Sequence, residues 1–93
     1  MIKLVQITRT GYGQHKISNI YLNPQHIIYM SEHEPLKQEL MEGKINLGLD
    51  KNATFTRIKI SEGDHLSEVV VVGDPATIES KIFSNHRKKV LKG

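Results

Sequence analysis

Five histidines, His15, His26, His33, His65 and His86, are the first residues in this chain that could do chemistry. Imidazole shuttles protons near neutral pH and binds transition metals. No two of them stand in an HxH, HxxxH or HExxH spacing, so no compact metal motif is formed. Glu32-His33-Glu34 is the nearest thing to a cluster. Neighbours on a loop point in different directions, and a solvated turn is the expected reading. Asp64 beside His65 resembles an acid–base pair, but it stands in SEGDH, an ordinary polar hairpin turn. Cys is absent. That excludes disulfides, thiolate catalysis and Cys-ligated metals. There is no GxSxG nucleophile elbow. The expectation is a protein without catalytic residues, cofactor or metal.

VVVVGDPATIESKI, from Val69 to Ile82, raises a second kind of chemistry. Strand, glycine and helix is how many phosphate sites begin, because glycines let backbone N–H groups approach the anion. The full signals are GxGxxG or GxxxxGK[ST]. Here Gly73 stands alone and no lysine occupies the required place. Asp74 is at the N-cap position and Pro75 at the first helical position, a good helix start. The carboxylate would take up the free N–H groups and repel a phosphate. A structural cap is expected.

The tail NHRKKVLKG carries polyanion chemistry. Arg87, Lys88, Lys89 and Lys92 account for four of the 13 cations, and no acid lies beyond Glu79. Residues 1–86 therefore hold nine cations against ten acids, a nearly neutral body with a basic tail at 87–93. Such a tail binds phosphates in a salt-dependent way. It equally complements a helix C-terminus and keeps a protein in solution. Tyr12 with Lys16, in TGYGQHK, offers a stacking ring beside a cation. It also reads as a hairpin tip.

These residues need elements to hold them. Ile, Leu, Val and Phe supply 27 of 93 residues, enough for one modest aliphatic core. MIKLVQIT alternates, with Ile2 and Leu4 on one face and Val5 and Ile7 on the other, so both faces of this strand are expected to be covered. Ile17–Leu22 and Gln25–Met30 read as strands about an Asn23-Pro24 corner or hairpin. Residues 31–51 form an insert. Pro35 with Leu36, Leu40 and Met41 suggests a short helix ended by Gly43, and Ile45, Leu47 and Leu49 alternate as a short strand would. Ala53–Ile60 and Leu66–Val72 are further strands, and a helix starts after Asp74. Val69 and Val71 face one side and Val70 and Val72 the other, so one pair lies under that helix. The second pair must meet another part of the fold or a partner. Leu36, Leu40, Met41, Val70 and Val72 are thus the candidate protein interface. No apolar run approaches the roughly 18 residues that span a bilayer. No signal peptide is visible, and a cytoplasmic location is expected.

MIKLVQI, IYLNPQHIIYM, FTRIKISEG and VVVVGDPATIESKI together resemble the FlbD-like small proteins, over about two thirds of the chain. Similar small proteins occur in phage and plasmid contexts. The resemblance implies a small regulatory or interaction protein without catalysis, and it carries over no catalytic residue. The Ser31–Lys51 insert and the basic tail depart from the family pattern. The expected fold is α+β, a twisted antiparallel sheet or partly open barrel of about five strands with a C-terminal helix, forming one domain over 1–86. The expected function is a non-enzymatic regulatory or adaptor module that binds a protein partner or self-associates. The alternative is nucleic-acid binding through Arg87, Lys88, Lys89, Lys92, Lys16 and Tyr12.

Overall fold

Strand β1 (Ile2–Arg9) buries Ile2 and Leu4 on one face and Ile7 on the other. A strand buried on both faces has to lie inside a layered structure. The computed structural model describes residues 1–92, with side chains as far as Ser84. β1 pairs with β2 (His15–Leu22) on one side and β5 (His65–Val72) on the other. β5 pairs with β4 (Phe55–Glu62), and β4 with β3 (Ile27–Glu32). The sheet order is β2-β1-β5-β4-β3 and every pairing is antiparallel. Two helices, α1 (Glu34–Met41) and α2 (Pro75–Lys92), complete the α+β fold.

β2 and β3 are opposite edges, yet only Asn23–His26 joins them. In a flat five-stranded sheet the edges would lie about 19 Å apart. A fully extended link from Leu22 to Ile27 reaches at most roughly 18 Å, and a turn at its centre shortens it further. Its centre is a 3-10 turn over Pro24–His26, capped by Asn23, whose Oδ1 accepts the Gln25 N–H at 3.0 Å. The sheet therefore curls. Asn23-Pro24 makes a corner rather than a hairpin, and the next strand starts at Ile27 because Gln25 and His26 belong to the turn.

One face carries Ile2, Leu4, Leu22, Ile58, Ile60 and Val71, closed by Ile78 of α2, with Val69 and Ile82 packed beside them. The expected pair under the helix is thus Val69 and Val71. The other face carries Ile7 and Phe55, covered by Leu36 and Leu40 of α1 and flanked by Val70 and Val72.

α1 forms where Pro35 and the leucine spacing suggest it. His33 caps it, its Nδ1 accepting the Leu36 N–H at 3.2 Å. Gly43 N–H bonds Leu40 C=O and Lys44 N–H bonds Glu39 C=O, closing the helix. Ile45, Leu47 and Leu49 are not a strand. Asn46 Oδ1 accepts the Gly48 N–H and Asp50 Oδ1 the Asn52 N–H, so side chains satisfy the backbone in place of a ladder. The three apolar side chains are half-buried against the Phe55 cluster.

Candidate functional site

Gly73 holds no phosphate cradle. Its N–H donates to Thr54 C=O at 2.8 Å, and its own C=O accepts the Thr56 hydroxyl at 2.7 Å. Its φ of +113° suits glycine alone. Asp74 Oδ1 accepts the Thr77 N–H at 2.8 Å, and α2 begins at Pro75. Hydrogen bonds from the Thr77 side chain and backbone hold the Asp74 carboxyl below its ordinary range. The polar groups at this junction are occupied by the chain itself.

Among the described residues the histidines do not converge into a ligand set, and the side chain of His86 lies outside them. Glu32 pairs with Lys37 at 3.2 Å, while His33 caps α1. His65 closes the β4–β5 hairpin opposite Glu62. Among the described residues no group of three or more His, Asp or Glu is placed to hold a metal ion. A solvent-open cleft of about 280 Å³ does lie between α1 and the β1–β2 hairpin. Arg9, His15, His33 and Glu39 ring it above Ile7 and Val70. Beside it on the same sheet face, opposite Val70, is Arg57, whose Nε is buried without a hydrogen-bond partner among the described residues.

Most of the interface residues expected from the sequence are consumed internally. Leu36 and Leu40 are buried against Ile7 and Phe55. Val70 and Val72 are half-buried in the same cluster, under α1 and the 45–53 segment. The insert supplies the cover for this valine pair. Met41 alone of the five is exposed. β5 is paired on both sides, so the valine run offers no free edge. Tyr12 stands almost fully exposed at the hairpin tip, and Lys16 is exposed opposite Thr8. The side chains of Arg87, Lys88, Lys89 and Lys92 lie outside the described residues.

Among the described residues, the outer edge of β2 has no strand partner. Its register with β1 runs unbroken through eight residue pairs, from Arg9–His15 to Ile2–Leu22. The hairpin sets which backbone groups face outward. Thr10 N–H donates to Gln14 C=O at 2.7 Å, and Gly13 N–H, at φ +79°, donates to Thr10 C=O. Hydrogen-bonded pairs recur at every second residue of an antiparallel ladder. Lys16, Ser18, Ile20 and Leu22 therefore bond β1. The N–H and C=O groups of His15, Ile17, Asn19 and Tyr21 point away from the sheet. Ile17 is 38% exposed and Tyr21 62%. The edge contains no proline, no acid and one lysine.

The opposite edge is different. β3 is shorter, and its register shifts between Ile27 and Tyr29, leaving Ile28 exposed at the irregularity. A bulge of this kind blunts an edge against pairing. The sequence carries no local signal that β2 is an outer strand; KISNIYL shows only that the strand holds one lysine and no acid. Comparison of the chain with protein-family models, with curated proteins and with solved structures gives no match. Among the described residues no helix is long and apolar enough to cross a membrane.

Proposed function

We propose that this protein is a non-catalytic regulatory or adaptor module that binds a protein partner by accepting an extended segment along β2. The outward-facing backbone of Ile17, Asn19 and Tyr21 on an unbroken edge carries this reading. Main-chain hydrogen bonds supply affinity in strand addition, and alternate side chains supply selectivity. Ile17 and Tyr21 lie two positions either side of Asn19 on one sheet face, ready to meet an apolar residue of the incoming strand. The resemblance to FlbD-like proteins favours the same non-enzymatic class.

A photo-crosslinking residue, p-benzoylphenylalanine, placed at Tyr21 in the full chain tests this in growing cells. A covalent adduct is expected at position 21 and none at Tyr12. The adduct should vanish when Asn19→Pro is added. Asn19 directs its N–H outward, so proline there removes a donor for the partner and none for β1. An adduct absent at 21, or unchanged by Asn19→Pro, contradicts the proposal.

Nucleic-acid binding is a second reading, favoured by one observation. Residues 1–31 contain Lys3, Arg9 and Lys16 and no acid, and Tyr12 is exposed among them. That reading expects salt-dependent binding of oligonucleotides that weakens on Arg9→Gln and Lys16→Gln together.

A further inference from the structure

The β2 edge is complementary to itself, and we infer that its occupant is a second copy of this chain. The inference rests on the strand-addition reading above and names the partner. Two β2 strands related by a two-fold axis perpendicular to the sheet run antiparallel. Such an axis leaves the two sheet faces unexchanged, so only residues of equal parity stand opposite each other. The outward-facing groups belong to His15, Ile17, Asn19 and Tyr21, so the new hydrogen-bonded pairs form among these.

The side chains select the register. With the axis through Asn19, Ile17 of each copy meets Tyr21 of the other, and Asn19 faces Asn19. Lys16 then meets Leu22, and Ser18 meets Ile20. An axis through Ser18 would set Ile17 against Asn19 and Tyr21 against His15. β-Branched and aromatic side chains stabilise one another across strands, which favours the first register. Charge does not oppose it. Lys16 is the one formal charge on β2, and the two copies of Lys16 stand about 20 Å apart along the paired edge, beyond the Debye length of ~8 Å at physiological salt. The product is one continuous ten-stranded sheet in which both β2 edges are covered. A contact of one strand per copy is small, so the dimer is expected to be weak and to form as concentration rises.

The absence of cysteine from the chain makes the register measurable. The full chain is examined by sedimentation across about 1–300 µM, alone and as Asn19→Pro, Ile17→Lys and Tyr21→Lys, with circular dichroism confirming that each variant is folded. The single variants Asn19→Cys and Ser18→Cys are oxidised and run on non-reducing gels. Opposed residues in a hydrogen-bonded pair have Cα atoms ~5.5 Å apart, within disulfide reach. The expected result is a concentration-dependent dimer, lost in whichever of the three edge variants fold, and a crosslink at position 19 that exceeds that at 18. A chain monomeric throughout overturns the inference, as does a dimer that survives all folded edge variants or crosslinks better through Ser18→Cys. The mass of the Tyr21 adduct then separates the two ideas. An Asn19→Pro-sensitive adduct of a mass other than two chains leaves strand addition standing with a different partner. With no adduct at all, both fall.

Discussion

Thr56 of β4 and Gly73, at the β5–α2 junction, are locked together. The buried Thr56 hydroxyl donates to the Gly73 carbonyl at 2.7 Å, and Gly73 N–H donates to the carbonyl of Thr54, just before β4. The pair thus ties β4 to the residue that leads from the last strand, β5, into α2, whose Ile78 is completely buried. Thr56→Val keeps the shape and leaves the Gly73 carbonyl without its donor. It should cost roughly 1–3 kcal/mol, read from urea denaturation. Gly73→Ala finds ordinary van der Waals room near Ile78 but inherits the positive φ. It should destabilise the chain through backbone strain of about 1–3 kcal/mol.

The Asp74 cap has a pH signature. Its carboxyl is held below the ordinary value in the folded chain, first by the Thr77 side chain and then by the Thr77 N–H. A folded-state pKa depressed in this way adds stability that is present above the unfolded value, about 3.9. That stability is lost as pH falls through the folded value. Thermal melts between about pH 5 and pH 2 should show a fall in midpoint for the natural chain. Part of that fall should be absent in Asp74→Asn, which keeps a capping oxygen without the titration.

Leu40 and Met41 are neighbours with opposite roles. Leu40 is 4% exposed and Met41 51%. Leu40→Ala should cost about 2–5 kcal/mol, and Met41→Ala no more than roughly 0.5 kcal/mol. Equal effects would contradict the packing of α1 on Phe55.

His33 serves α1 through its Nδ1. His33→Ala should remove about 1 kcal/mol of stability, and His33→Asn, a good capping residue, should restore most of it. Chemical denaturation of the two variants side by side decides this.

Local chemistry was readable where a residue acts on its own neighbours. Pro35 and Gly43 bracket α1, Asp74 and Pro75 start α2, and Asn23-Pro24 turns a corner, because each rule needs only adjacent backbone. The two-faced burial of β1 followed from the alternation of Ile2, Leu4, Val5 and Ile7. What covers the valines did not follow. Val70 and Val72 pack in one cluster with Leu36 and Leu40, 30 or more positions away, and no local pattern records that pairing. Ile45, Leu47 and Leu49 alternate like a strand, yet Asn46 and Asp50 turn the chain between and after them by accepting the Gly48 and Asn52 N–H groups. The β2 edge was hidden for a similar reason. Which strand is left outermost depends on β5 returning to pair with β1, a long-range choice. Once that topology is known, the Thr10–Gln14 bond fixes which residues of β2 face out.

Amide hydrogen exchange on the full chain, followed residue by residue by NMR at low protein concentration, tests the open β2 edge most directly. Ser18, Ile20 and Leu22 should be protected by β1, while Ile17, Asn19 and Tyr21 exchange freely, giving a period of two along the strand. Uniform protection would mean that the edge is already covered within the chain. Uniform rapid exchange would mean that β2 is not a strand. Either pattern would contradict a module built to accept a strand there.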